Sequence, residues 1–143
     1  MSANNHFAVG LSNKTVRVYD TIGSLIPSLE TDQKEIRCLS FNQNSNFLAG
    51  FTPNNLFVWT NSGNSGYSKI KQIRTNQSNG INTCIFSGDS EENIIGGSCD
   101  NHLYVYNLKK EKVIQNKSCL SEFKVLETSG SGFVASGHMN GSI

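Results

Sequence analysis

Cys99-Asp-Asn-His102 sets a thiol and an imidazole three residues apart, the spacing at which one turn can offer two ligands to zinc. His138 falls in a comparable turn later in the chain, and His6 is the remaining histidine. A structural zinc site takes four ligands, and Cys99, His102 and His138 are the only candidates. They are therefore expected to be ordinary turn residues, and no metal site is assigned. Nucleophilic chemistry is no better supplied. The chain holds no Gly-x-Ser-x-Gly elbow and no outstanding carboxylate pair. The glycine-rich phrase Ser129-Gly-Ser-Gly132 lies between strand-like segments, with no helix after it to present a phosphate site. The expectation is a non-catalytic protein with no catalytic residue and no cofactor.

Bulk properties narrow the class further. At 143 residues the chain is long enough for one ordinary domain, and only 36% of it is apolar. A net charge of +1 gives no bulk attraction to nucleic acid or membrane. The basic clusters Lys69-Ile-Lys-Gln-Ile-Arg74 and Lys109-Lys-Glu-Lys112 are short and read as a solvated strand and a solvated turn. No apolar run approaches the ~20 residues that span a bilayer, so neither nucleic acid nor membrane insertion is expected. Cys38, Cys84, Cys99 and Cys119 show no disulfide-framework spacing, and the opening residues Met1 to His6 are polar. Free thiols and a cytoplasmic location follow as expectations.

The elements that would carry any site come from a repeated sentence. Gly97-Ser-Cys-Asp-Asn-His-Leu-Tyr-Val-Tyr-Asn107 reads as a tight turn and then a strand apolar on both faces. Gly10 to Asp20 and Gly50 to Thr60 repeat it, and a last copy starts at Gly137. Three residues after the glycines stand Asn13, Pro53, Asp100 and Asn140, all turn formers; six after stand Val16, Leu56, Leu103 and Ile143. Ile143 is expected as the first core residue of a strand. The glycines are expected to be equivalent, and a period of about 40 residues marks a repeat array.

Each unit reads as four strands. The first ends at the glycine, as in Phe7-Ala-Val-Gly10 and Ile94-Ile-Gly-Gly97, and the second is the doubly apolar run. A more polar third strand follows over 25–29, 69–74 and 112–115. Pro27 within it fits an edge strand, because proline cannot donate to a ladder. A fourth opens the next unit over 36–41, 81–86 and 123–126. Four short strands per period is the pattern of β-propeller blades.

Tyr19-Asp20, Trp59-Thr60 and Tyr106-Asn107 stand where WD40 repeats carry their Trp-Asp pair, and Asp100 where they keep a turn aspartate. The chain thus resembles the WD40-repeat family over essentially its whole length. Thr31-Asp32 and Asn76-Gln77 occupy the region of the family's Gly-His dipeptide, so its Asp-His-Ser-Trp network is expected to be incomplete. The fold class implied is all-β: a partial WD40-type propeller of about three and a half four-stranded antiparallel blades. The units are an incomplete blade at 6–29, full blades at 36–74 and 81–115, and an incomplete blade at 123–143. Further blades of the same chain are expected to complete the ring, the 143 residues being a piece of a longer protein.

The family resemblance implies a protein-interaction scaffold that binds other proteins through the rim where the turns and the innermost-strand starts open together. The rim candidates are Glu35, Arg37, Gly80 and Asn82 at the innermost strands, with Ser12, Thr52, Cys99 and Met139 at the turns. Two alternatives remain: a phosphoinositide-binding propeller, against which Arg17, Arg37 and Arg74 are isolated, and a propeller enzyme with a central-channel site. Phe7-Ala-Val-Gly10, Asn44-Ser-Asn-Phe-Leu48 and the closing Ala135 to Ile143 are also similar to phrases of WD40 members of the centrosome. That similarity implies a role in microtubule nucleation at the centrosome or spindle.

Overall fold

The computed structural model describes residues 6–143 apart from 30, 64–65, 76–79, 88–90 and 130–131. Asn76-Gln77 and the centre of Ser129-Gly-Ser-Gly132 lie outside the described residues. Thirteen strands form four separate antiparallel sheets, with no α-helix among the described residues.

The first sheet holds β1 (Phe7–Gly10), β2 (Val16–Tyr19) and β3 (Leu25–Leu29) in that order. The second runs β4 (Cys38–Phe41), β5 (Phe47–Phe51), β6 (Asn55–Asn61) and β7 (Tyr67–Arg74). The third repeats it with β8 (Ile81–Phe86), β9 (Asn93–Ser98), β10 (His102–Asn107) and β11 (Lys112–Ser118). The fourth pairs β12 (Phe123–Thr128) with β13 (Val134–His138). The polar third strands β3, β7 and β11 are sheet edges, where proline at position 27 costs no ladder bond. The innermost strand of the second sheet starts at Cys38, two residues later than the sequence implies, with the Arg37 amide still bonded to the Phe51 carbonyl at 2.8 Å.

The cores lie between sheets, which is why the second strands are apolar on both faces. Phe57 and Trp59 turn back to join Val16, Val18 and Leu29 of the first sheet. Leu56 and Val58, the alternate residues, turn forward to Ile81, Ile94, Tyr104 and Tyr106 of the third. Leu103 and Val105 then meet Phe123 and Leu126 of the fourth. Burying a large side chain stabilises by roughly 1.5–3 kcal/mol, so the second and third sheets each depend on both neighbours. Ile143, expected in a core, is fully exposed, and β13 ends five residues before it.

The four glycines are not equivalent. A Cβ on Gly10 would lie 3.1 Å from Ile36 Cβ, and one on Gly97 2.6 Å from Phe123 Cβ, both towards the following sheet. A Cβ on Gly50 would instead meet Leu39 at 2.8 Å and Trp59 at 3.1 Å, towards the preceding one. Its counterpart is Gly96, which faces Ile81 in the same sense. Phe51 therefore stands where Gly97 does, and Thr52 where Ser98 does.

The cause is one residue of turn. Three hairpins use a three-residue turn whose last member takes the left-handed conformation: Lys14 (φ 69°), Asn101 (φ 64°) and Gly141 (φ 83°). The middle residue of each folds its side-chain oxygen onto an amide two residues on. Asn13 accepts from Thr15 at 3.3 Å, Asp100 from His102 at 3.1 Å and Asn140 from Ser142 at 3.1 Å. Pro53 has no such oxygen. Its hairpin closes one residue sooner, with the Thr52 amide bonded to the Asn55 carbonyl at 2.9 Å.

Candidate interaction rim

Counting from Ile36, Ile81 and Phe123 puts Arg37, Asn82 and Lys124 at one level of three successive innermost strands, with Glu35, Gly80 and Glu122 just before them. Each apolar residue is drawn into an inter-sheet core, so its two neighbours are left at one end of the innermost strands. Arg37 Nη1 donates to Asn82 Oδ1 at 3.5 Å, and Asn82 Nδ2 donates to Glu122 Oε1 at 2.8 Å. Lys124 Nζ closes the row at 3.8 Å from the same Glu122 oxygen. Glu35, Arg37, Asn82, Phe123 and Lys124 line a cavity of about 460 Å³. With Glu35 beside it the groove carries two acids and two bases, Glu35 and Glu122 against Arg37 and Lys124, so charges of both signs lie along it.

Gly80 is buried beneath this row with φ 67°, a conformation that L side chains rarely adopt, and it lies against the Arg37 guanidinium. Its carbonyl accepts the Ser98 hydroxyl at 3.0 Å and the Cys99 amide at 3.4 Å. The Met139 amide reaches the Glu122 carbonyl at 2.9 Å in the same way. The Cys99 and Met139 turns are thereby tied to the innermost-strand starts. Ser12 is exposed on the corresponding turn of the first sheet.

Thr52 does not belong to the exposed set. It is 1% exposed, and its hydroxyl donates to Asp32 Oδ2 at 3.0 Å. The one-residue slip at Pro53 moves it from the turn to the buried position of Ser98. Asn55 Nδ2 donates to the same Asp32 oxygen at 2.5 Å, while Thr31 Oγ1 donates to the Lys14 carbonyl at 3.0 Å. Thr31-Asp32, where the Gly-His dipeptide is missing, thus bridges the turns of the first and second sheets with a hydroxyl and a carboxylate. Glu122 and Lys124 were absent from the sequence-based set. The phrase Glu122-Phe-Lys124 repeats the acid–apolar–base order of Glu35-Ile-Arg37, and that signal could have found them.

The metal-like pair is used locally. His102 Nδ1 lies 2.8 Å from the Asp100 carbonyl, and the ring stacks on Tyr104 at 5.9 Å. His138 is held by the Ser121 carbonyl at 3.1 Å and the Ser136 hydroxyl at 3.0 Å. No cluster of three or more His, Cys, Asp or Glu suited to a metal ion occurs among the described residues. Burial works to raise the Asp100 pKa, but hydrogen bonds from Tyr104, Ser98 and the His102 amide outweigh it and hold the carboxyl below its ordinary value. Burial, followed by the hydrogen bond to Asp100, pushes the Tyr104 phenol up to about 12. Arg17 in β2, Arg37 at the rim and Arg74 at the end of β7 sit on separate elements and form no paired cradle.

Residues 23–60 match the WD domain, G-beta repeat family. No curated protein matches the chain by sequence. Among 958 solved chains that match in structure is one in the crystal structure of the mitotic checkpoint complex, with a TM-score of 0.76 and 17% identity. The match covers 94% of this chain and 41% of that one, so the chain spans about two-fifths of its structural neighbour. The fold is that of a partial WD40-type β-propeller, and the chain carries a WD repeat within it. A fold shared so widely leaves function to the site.

Proposed function

We propose that the chain is a non-catalytic protein-interaction scaffold that meets its partners at the rim. One observation carries this reading: Arg37, Asn82, Glu122 and Lys124 form a connected polar row across three successive sheets, on strands whose other neighbours are locked in cores. Side chains already drawn together along the row lose less entropy than free ones when a peptide lays its own polar groups along it. The test is a peptide-display selection against the folded protein, repeated with Arg37→Glu and Lys124→Glu. Selected peptides should lose at least tenfold in affinity to the variants while the melting temperature stays unchanged. Peptides indifferent to both substitutions would place the binding surface elsewhere.

A narrower reading, a part in microtubule nucleation at the centrosome or spindle, is supported by the sequence phrases at Phe7 to Gly10, Asn44 to Leu48 and Ala135 to Ile143. Co-sedimentation with purified γ-tubulin complexes distinguishes it: retention depending on Arg37 and Lys124 supports the role, and none excludes it.

A further inference from the structure

Cys38 on β4 and Cys84 on β8 approach one another from neighbouring innermost strands. Cys38 turns forward and Cys84 turns back, so both enter the core between the second and third sheets, where Cys84 is 8% exposed and Cys38 packs against the same cluster. The Cys38 thiol is the ionisable group beside the Cys84 thiol within that cluster. Opposite Cys84 in the ladder stands Gly96, which contributes no side chain to hold the two sulfurs apart. Both thiols are free, and Cys84 borders the channel cavity of about 600 Å³ together with Leu39, Thr83 and Ile85. Cys38 is itself only partly buried, so a small oxidant can reach the pair through it.

We propose that Cys38 and Cys84 are a thiol pair built for reversible oxidation to a disulfide that clasps the second blade to the third. With a low-molecular-weight disulfide as oxidant, the half-buried Cys38 thiolate attacks one sulfur, forming a mixed disulfide and releasing one thiol. The Cys84 thiolate then displaces the second thiol, and the Cys38–Cys84 bond closes. The two protein thiols give up two electrons and two protons, and the oxidant's S–S bond takes them up as two thiols. Burial, with the adjacent Cys38 thiol second, pushes the Cys84 pKa well up, so Cys38 attacks first and Cys84 gives up its proton only as it closes the bond.

The bond would close a loop of roughly 45 residues and add a covalent link between two sheets otherwise held by packing and side-chain hydrogen bonds such as Arg37 to Asn82. Cys99 and Cys119 lie on other elements, in the Cys99 turn and against the third core. The pair therefore has a defined product and two internal controls.

The test treats the folded full chain with oxidised glutathione and counts titratable thiols, maps the link by peptide mass spectrometry, and follows the melting temperature. Thiols should fall from four to two, with a single link between Cys38 and Cys84 that dithiothreitol reverses. Melting should rise by roughly 5–10 °C. Cys99→Ser with Cys119→Ser should leave the response intact, which keeps the test open should Cys38→Ser or Cys84→Ser fold poorly. Four thiols retained, a link through Cys99 or Cys119, or glutathione adducts in place of the internal bond would each overturn the proposal.

Discussion

The Thr52 hydroxyl, 1% exposed, donates to the Asp32 carboxylate at 3.0 Å across the gap between a loop and a hairpin turn. The same carboxylate oxygen takes the Asn55 amide, so one side chain fixes the start of the innermost strand to the turn beside it. Asp32→Ala removes the acceptor and leaves a buried hydroxyl short of its partner. It should cost about 1–3 kcal/mol in a denaturant melt. Asp32→Asn keeps an acceptor oxygen and should cost visibly less. Equal losses from both would mean that the contact contributes nothing.

Trp59 is fully buried between the first and second sheets, stacked on Phe57 with ring centroids 5.6 Å apart. Truncation there empties a large volume against Val16, Val18 and Leu48. Trp59→Ala should cost on the order of 3–5 kcal/mol. Native fluorescence should be blue-shifted and move red on unfolding. A red emission open to quenchers in folded protein would contradict the packing.

Burial of Trp59 was legible because Leu56-Phe-Val-Trp59 never alternates, and only a strand covered on both faces tolerates that. The facing of Gly50 was not. Spacing counts residues along the chain, whereas a two-residue turn at Pro53 changes which face each residue takes. The doubled Gly96-Gly97 hides the slip, since either glycine satisfies the repeat. Thr52 was placed on the surface for the same reason. At the rim, topology located Glu35, Arg37 and Asn82. Glu122 escaped because the fourth innermost strand is read only from Phe123 onwards, and Lys124 because no rim position was taken from that strand. The hydrogen bonds that make them a row cross between sheets, and no local pattern records such distances.

Gly97 sits closest to a neighbour of all the interior glycines. A Cβ there would lie 2.6 Å from Phe123 Cβ, an atom fixed to the backbone and unable to swing aside. Gly97→Ala should therefore push the third and fourth sheets apart, at a cost of roughly 1–3 kcal/mol. Gly10→Ala, with 3.1 Å to Ile36, should cost less. Faster amide exchange confined to β12 and β13 would identify the damaged interface in the first variant. The reverse ranking would refute the glycine register.

Asp100 and Tyr104 share a hydrogen bond of 2.9 Å, and it ties stability to pH at both ends. The Asp100 carboxyl is held below its ordinary value against the opposing effect of burial, chiefly by the Tyr104 hydroxyl. A depressed folded pKa gives stability that is complete above the unfolded value, near ~4, and is lost as pH falls through the folded one. Tyr104 has the opposite sign: burial, then Asp100, raises its phenol to about 12. Its stability is complete below the unfolded value of ~10 and drains away as pH climbs from there through about 12. Tyr104→Phe should shrink the alkaline loss, leaving the parts that come from the raised Tyr67 phenol and Cys84 thiol. It should also shrink the acid one, because Asp100 loses its main donor and its pKa moves back towards the unfolded value. Urea midpoints measured across pH check both limbs, and phenolate absorbance lost in Tyr104→Phe should belong to a tyrosine ionising well above ~10 in the folded state. If Tyr104→Phe shrank the alkaline limb yet left the acid limb untouched, the two groups would not be coupled and the hydrogen bond would have no energetic role.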